Sequence, residues 1–219
     1  MKKINFTLLL LLISATIYSQ TRGSGQLIER SYPYAGFDKI AIEDLAGQVD
    51  IEIGNTWSIS VTIDNNLLPL LAFKENPGEY QLTVFFKGNR NNNMYLENTN
   101  VRIKITMPEA SVIKNDSNAQ VSVKNVKGRY LKLVNAENGD IQASGTVDVL
   151  DVISEGNGNV KAASLTAKTI EVSATGNGDI TVRSTEKITA KTSGNGDVRN
   201  VGKAKYSTNS VATGNGNLL

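Results

Sequence analysis

The sequence predicts an all-β protein, most of it a parallel β-helix with coils of about 20 residues. Three observations support this prediction. A Gly-Asn-Gly motif recurs at a nearly fixed spacing in the second half of the chain. An alternation of apolar and polar residues follows each copy, as in a strand with one buried face. The composition, with 19 glycines, 4 prolines and 6% aromatic residues, favours short strands and tight turns over long helices.

The repeat is counted from one asparagine in each copy of the motif. These origins are Asn118, Asn138, Asn157, Asn177, Asn195 and Asn215. The steps between them are 20, 19, 20, 18 and 20 residues. Repeats built from two helices need about 33 residues or more, so this period fits one coil of a β-helix. Right-handed winding is the expected form, from the general preference for right-handed crossovers.

Each coil is predicted to contain at least two short strands joined by turns. Three residues after each origin stands an aliphatic residue, and a second inward position follows two residues later. The first set is Val121, Ile141, Val160, Ile180, Val198 and Leu218. The second strand has the inward pairs Leu131/Leu133, Leu150/Val152, Ile170/Val172, Ile188/Ala190 and Thr208/Ser210. Because the last pair is small and polar, we expect the C-terminal coil to fray or to dock on another molecule.

The Gly-Asn-Gly stretch is predicted to form the corner of each coil. Glycine adopts positive φ without penalty, and asparagine tolerates the left-handed region. Stacked asparagine side chains can also hydrogen-bond along the column. The predicted structural corner residues are Asn138, Gly139, Asn157, Gly158, Asn177, Gly178, Asn195, Gly196, Asn215 and Gly216.

The region before the repeat is richer in aromatic residues and in strong alternation. The segments VDIEI, WSISVTI, YQLTVFF and VRIKITM each place apolar residues on one face of a strand. NNLLPLLAF is predicted to form a short helical turn or a bulge, and ENPGE a turn. We expect residues 22–109 to form an N-terminal β cap or irregular first coils, continuous with the repetitive coils of residues 110–219.

The first residues, MKKINFTLLLLLISATIYSQ, are typical of a secretory signal peptide. Lys2 and Lys3 precede an apolar run, and small residues follow it, so we expect residues 1–19 to be removed by cleavage near Ser19 or Gln20. The alternative is an N-terminal membrane anchor, but the run is shorter than the roughly 20 apolar residues of a span. No later segment is predicted to cross a bilayer as a helix. The predicted location is the periplasm, the cell surface or the extracellular space.

Charge and composition exclude several classes of function. Removal of Lys2 and Lys3 would leave 21 basic and 21 acidic residues. The net charge would then be near zero, which does not favour binding to nucleic acid. The chain has no Cys and no His. It therefore lacks thiol nucleophiles, thiolate zinc sites and the commonest general base.

The order of segments resembles the head-GIN domain family of putative auto-transporter adhesins. The resemblance rests on FDKIAIEDLAGQVDIEI, then SVTIDNNLLPLL, then VRIKITMPEASVIKNDSNAQVSV, followed by the Gly-Asn-Gly-Asp copies. The Gln48-Val49-Asp50 stretch after Gly47 stands where that family tends to have Gly-Ile-Asn or Gly-Ile-Asp. The resemblance implies a β-helix-like fold, export and adhesion. It carries no catalytic residues over to this chain.

One column of residues is a candidate calcium site. Two residues after each origin come Gln120, Asp140, Asn159, Asp179, Asp197 and Asn217. Asp140, Asp179 and Asp197 are the weak calcium candidates, because calcium prefers hard oxygen ligands. The alternative is that these carboxylates only stabilise turns through hydrogen bonds to the backbone. No catalytic residue and no cofactor are predicted.

The leading functional hypothesis is an exported, non-catalytic envelope or surface protein. Its stacked polar rows would bind surface glycans or another envelope protein, and adhesion follows from the family resemblance. One alternative is a polysaccharide lyase or hydrolase, for which Lys161, Arg183 and Arg199 lie near the aspartate column. A second alternative is a scaffold that assembles end to end through its C-terminal coil.

Overall fold

The computed structural model describes residues 21–89, 96–97 and 99–219. The predicted signal peptide and its cleavage site lie outside the described residues. Within them, the helical segments are two 3-10 turns, Leu68–Leu70 and Pro77–Glu79. These are the two places where the sequence predicts a helical turn and a Pro-Gly turn. The all-β prediction is confirmed.

Sixteen strands are described, and the four longest lie in the repetitive half of the chain. In chain order they are β1 (Thr21–Arg22), β2 (Leu27–Tyr32), β3 (Lys39–Glu43), β4 (Gln48–Ile53), β5 (Ser58–Asp64), β6 (Leu71–Asn76), β7 (Gln81–Phe86), β8 (Leu96–Glu97), β9 (Val101–Met107), β10 (Val112–Asp116), β11 (Gln120–Asn135), β12 (Ile141–Ser154), β13 (Val160–Ala174), β14 (Ile180–Thr192), β15 (Val198–Asn200) and β16 (Val211–Ala212).

The predicted parallel β-helix, and with it the predicted right-handed solenoid, is wrong. Strands β2–β7 and β9–β16 form one curled sheet, a half-barrel of mixed strands. The pairs β2–β5, β5–β9 and β6–β7 are antiparallel, whereas the remaining pairs in this sheet are parallel. For β6 and β7 the physical reason is connection length, because they are joined by a short turn and a short turn reverses the chain into an antiparallel pair.

Equivalent residues of successive repeats are paired with one another in this sheet. Strands β11 to β14 pair in parallel, so that Leu131, Leu150, Ile170 and Ile188 stand side by side. Each repeat forms one long strand of 13 to 16 residues instead of two short strands separated by a turn. Register shifts, most of them in the first half of each strand, interrupt this regular pairing. Such irregularities bend strands and help a sheet to curl.

The alternation predicted for the repeats decides which side chains are buried. The inward residues from Val121 to Val198 and the pairs from Leu131/Leu133 to Ile188/Ala190 are buried. The last predicted pair behaves differently, because Thr208 is exposed and Ser210 is half-buried. Neither residue belongs to a strand. Small polar residues contribute little apolar burial, and this segment packs less regularly than the earlier repeats.

Aromatic rings join the two outermost strands of the N-terminal half. β2 ends the branch that runs through β5, β9 and β4, and β6 ends the branch that runs through β7 and β3. The Phe73 ring on β6 lies 4.5 Å from the ring of Tyr32 on β2, between centroids. It lies 5.2 Å from the ring of Tyr34. These contacts bring the two ends of the sheet together at this end of the half-barrel.

Candidate functional site

Asparagine side chains form a hydrogen-bonded ladder along one edge of the repeats. Each Nδ2 donates to the Oδ1 of the asparagine one repeat earlier, at distances of 2.5 to 2.9 Å. All six asparagines are exposed. The ladder consists of Asn118, Asn138, Asn157, Asn177, Asn195 and Asn215. Each inner member uses one donor and one acceptor within the column, and the edge is therefore a regular row of amides.

The corner glycines serve close packing rather than positive φ. The glycines of these motifs are absent from the described residues with positive φ, so the explanation from left-handed backbone is wrong for them. A Cβ on Gly158 would overlap the carbonyl oxygen of Gly139, and one on Gly178 would overlap that of Gly158. The motif thus recurs because adjacent corners approach one another too closely for any side chain at the glycine positions.

The aspartate column lies beside the ladder and binds the backbone of the next repeat. Asp140 Oδ1 accepts the backbone N–H of Asn159 at 2.8 Å, and Asp179 Oδ1 accepts that of Asp197 at 2.9 Å. Asp197 Oδ1 accepts the N–H of Asn217 at 2.8 Å. Asn159 performs the same role with its amide oxygen toward Asp179. Amide and carboxylate are therefore interchangeable for this bond, as the mixture of Asn and Asp in the column indicates.

Two carboxylates of the column have lowered pKa values. Burial would raise the pKa of Asp140, but hydrogen bonds from Lys161 and Asn159 outweigh it and lower the pKa. The Lys161 Nζ lies 2.5 Å from Asp140 Oδ2. The backbone and side-chain hydrogen bonds from Asn217 lower the pKa of Asp197. Both groups are thus held in the charged form at neutral pH.

The calcium candidates Asp140, Asp179 and Asp197 do not converge on one point. Each stands in a different repeat and directs one oxygen to a backbone amide of the following repeat. Within residues 21–89 and 99–219, no three Asp, Glu, His or Cys side chains lie close enough together to hold a metal ion. That the chain works without a cofactor stays a prediction.

A shallow depression of about 460 Å³ opens on the outer side of five neighbouring strands, β9, β4, β11, β12 and β13. We call its lining the polar face. The lining side chains are Gln48, Asp50, Arg102, Gln120, Ser122, Lys124, Asp140, Gln142 and Lys161, with Val121 between them. Three cations and two carboxylates are interspersed with amides and a hydroxyl, and no single sign of charge dominates.

Pairing register places distant parts of the chain together on the polar face. Gln48 pairs with Gln120, and Asp50 with Ser122, which in turn pairs with Gln142. The stretch that resembles the family motif therefore lies beside the first repeats. Arg102 donates two hydrogen bonds to the Oε1 of Gln48, at 3.0 and 2.5 Å. The repeat pattern missed Gln48 and Arg102. The position of Gln48 directly before VDIEI, and that of Arg102 within VRIKITM, already indicated an outward direction.

The residues suggested for polysaccharide cleavage are only partly brought together. Lys161 pairs with Asp140. Arg183 instead directs its Nε to the carbonyl oxygen of Ala163 at 2.7 Å, and Arg199 pairs in register with Thr181. The polar face has this one ion pair toward its β13 side and lacks the walls of a cleft.

Among the described residues, no helix combines the length and the apolar character needed to cross a bilayer. The fold and the polar face together define an all-β protein with an extended, mixed-charge surface built from in-register strands. The chain belongs to the family described as putative auto-transporter adhesin, head GIN domain, whose model matches residues 36–204. The predicted resemblance is confirmed, and the description of this family is that of a putative adhesin.

Solved structures resemble this fold. A putative adhesin from Bacteroides fragilis is 23% identical, with 90% of this chain and 97% of that chain covered and a TM-score of 0.68. A putative lipid binding protein from Parabacteroides distasonis is 21% identical, with 92% and 100% covered and a TM-score of 0.53. At these identities the likeness shows the fold. No protein of curated function matches the chain. The names of these relatives describe adhesins and a binding protein, not enzymes.

Proposed function

We propose that this chain is an exported, non-catalytic protein of the cell envelope or cell surface, and that it binds an extended partner through the polar face. The partner is a surface glycan or another envelope protein. Family membership supports the adhesin-like role, and the apolar N-terminal segment supports export.

The observation that carries this proposal is the pairing of Gln48, Gln120 and their neighbours across five strands. Strands of one sheet lie about 4.8 Å apart, so the polar face extends about 20 Å across the strands. Its amides and hydroxyl offer both donors and acceptors to a ligand. A long, shallow and mixed-charge surface suits an extended polar partner better than a small molecule, which needs a concave pocket.

The chemistry of the polar face supports binding rather than catalysis. Asp140 is held charged by Lys161 and the Asn159 amide, so it is no general acid at neutral pH. The sequence offers no histidine or cysteine to take that role.

Protease shaving of intact producing cells tests the location. Peptides of this chain released from intact cells are expected, because a surface binding protein is accessible to the protease. Release only after permeabilisation would overturn the surface role and leave a periplasmic binding role.

A pair of tryptophan substitutions tests the polar face itself. Gln142→Trp places a large ring on the polar face, between Ser122 and Lys161, at an exposed strand position. Ser173→Trp is the matched control, because Ser173 is an exposed strand residue that lies outside the polar face. We expect Gln142→Trp to reduce binding of the purified, labelled chain to cell envelopes about tenfold, and Ser173→Trp to leave it unchanged. Equal binding by both variants would contradict the proposal.

A further inference from the structure

Exposed aromatic side chains concentrate at the edge of the sheet opposite the asparagine ladder. Trp57, Tyr80 and Tyr130 are 41%, 63% and 41% exposed. Tyr80 immediately precedes Gln81, the first residue of β7. Across the sheet, Gln81 pairs with Lys39, Lys39 with Val112, and Val112 with Lys132. Tyr130 stands two residues before Lys132. Trp57 immediately precedes β5. We call Trp57, Tyr80 and the segment 35–38 between them the aromatic edge.

Hydrogen bonds attach both residues to the same segment, Trp57 through its ring and Tyr80 through its backbone. The Trp57 Nε1–H donates to the carbonyl oxygen of Phe37 at 3.0 Å. The Tyr80 carbonyl oxygen accepts the backbone N–H groups of Asp38 and Lys39, at 3.0 and 3.1 Å. The indole is therefore oriented by its polar edge, which leaves part of its apolar surface in solvent.

Tyr80 has a strained backbone without a compensating burial. Its φ is 53°, in the left-handed region, which is unfavourable for a bulky residue and open to glycine. The Tyr80 ring contributes little to the core, because the residue is 63% exposed. A glycine would satisfy the turn Pro77–Glu79 better. An aromatic residue that is both strained and exposed indicates a role for the ring outside folding.

The surroundings of Tyr80 combine an apolar base with hydrogen-bonding groups. A small depression of about 110 Å³ is lined by Gly36, Phe37, Pro77 and Tyr80 and by the polar side chains of Glu75, Asn76 and Gln81. Lys39 pairs with Glu79 at 3.5 Å, which offsets part of the negative charge. In the same segment, the Asp38 Oδ1 is buried and has no hydrogen-bond partner among the described residues. That oxygen is an acceptor for which the described chain supplies no donor.

We propose that the aromatic edge is a binding site for a sugar ring of a neutral polysaccharide. One face of a pyranose carries C–H groups, which the electron-rich face of an aromatic ring attracts, while its hydroxyls need nearby donors and acceptors. Tyr80 provides the ring at the depression, and Asn76, Gln81 and Glu75 provide the polar groups. Trp57 lies beside it, hydrogen-bonded to Phe37, which lines the same depression. A depression of about 110 Å³ suits a single ring rather than an acyl chain. This inference concerns residues outside the polar face and does not depend on the function proposed for it.

The sequence supplies its own reporter for the test. Trp57 is the only tryptophan, and its indole is hydrogen-bonded to Phe37, which lines the depression, so intrinsic tryptophan fluorescence reports on the proposed site. Purified chain is titrated with cellohexaose, chitohexaose and mannohexaose, and with polygalacturonate as an acidic comparison. We expect a saturable change in Trp57 emission with at least one of the three neutral oligosaccharides and none with polygalacturonate.

Tyr80→Gly separates binding from folding. Because glycine relieves the left-handed strain, this variant is expected to melt at or above the temperature of the unmodified chain, yet to bind the oligosaccharide about tenfold more weakly. Leu27→Ala removes another exposed apolar side chain, 52% exposed, and is expected to bind as the unmodified chain does. The proposal is overturned if no neutral oligosaccharide changes the emission, if only polygalacturonate does, or if Tyr80→Gly binds normally.

Discussion

Single residues set how closely neighbouring repeats approach. Gly158 lies against the backbone of Gly139, and the Nδ2 of the buried Asn135 would lie 2.8 Å from an added Cβ. Backbone in the preceding repeat cannot move aside as a flexible side chain can. A side chain at position 158 would therefore force the neighbouring strands apart, and this would destabilise the sheet.

Gly158→Ala is expected to lower the free energy of unfolding by about 2 to 3 kcal/mol, because the new methyl group overpacks a close backbone contact. Urea denaturation followed by circular dichroism measures the change. Gly78→Ala is the matched control: its Cβ would meet Asn76 Oδ1 at an ordinary 3.7 Å, and its stability should change by less than about 0.5 kcal/mol. Similar losses in both variants would contradict the packing argument.

Asp140 has two separable contributions, a backbone hydrogen bond and an ion pair. Asp140→Asn keeps an oxygen for the Asn159 amide and loses only the exposed pair with Lys161, about 0.2 to 1 kcal/mol. Asp140→Ala loses both and should cost about 1 to 2 kcal/mol. Equal losses at pH 7 would show that the backbone bond contributes nothing.

The pH dependence of Asp140 has a definite sign. Its folded pKa is lowered from 3.8, so its electrostatic contribution is present above the unfolded pKa and is lost as pH falls through the folded value. The stability difference between the unmodified chain and Asp140→Asn should therefore shrink as the pH falls below about 4. Urea titrations at pH 7 and at low pH measure this. A difference that grows on acidification would contradict the assignment.

Whole elements are aligned by the asparagine ladder as well as by backbone bonds. Asn157 donates to Asn138 at 2.8 Å and accepts from Asn177 at 2.7 Å. An inner member of the ladder thus links three successive repeats with one amide group. The amide is needed because the side chain must donate and accept at the same time.

Asn157→Asp is expected to destabilise the fold by about 1 kcal/mol at neutral pH, because a carboxylate keeps the acceptor, loses the donor and faces the Asn138 oxygen. Stability should recover below about pH 4, where the protonated acid donates again. Thermal unfolding at both pH values measures the effect. Asn55→Asp, at an exposed position outside the ladder, is the control and should show no such recovery.

At the scale of the whole molecule, the curled sheet brings its two branches together through aromatic rings. Phe73 on β6 contacts both Tyr32, the last residue of β2 in the other branch, and Tyr34, two residues beyond it. Among the described strands, β2 and β6 are not paired with each other by backbone hydrogen bonds. Closure of this end therefore depends on side-chain packing.

Phe73→Ala is expected to reduce stability by about 2 kcal/mol, less than for a fully buried phenylalanine because Phe73 is half-buried. Limited proteolysis should then cut near β2 faster than in the unmodified chain. Phe73→Leu retains apolar volume, and its stability and its rate of cleavage near β2 should lie between those of the unmodified chain and of Phe73→Ala. Unchanged cleavage near β2 in Phe73→Ala would show that the rings do not hold the two branches together.

The local pattern predicted burial well and topology poorly. The spacing of Val121, Ile141 and Val160 correctly predicted neighbours in a parallel ladder, because identical segments pair best in identical register. The antiparallel strands of residues 22–109 have no repeat from which their partners could be read. Pairing such as Gln48 with Gln120 joins residues far apart in sequence, and alternation shows only that both face outward.

By itself, the sequence determined the all-β class, the inward and outward residues of each repeat, and the family. These properties follow from periodicity, which involves residues close together in the sequence and can therefore be recognised without knowledge of the fold. Only the tertiary structure decided that the repeats form long bent strands of one mixed sheet, that the corner glycines serve close approach, and that the polar face and the aromatic edge exist. Each of these depends on which strands become neighbours, and that choice is made by packing of the whole chain.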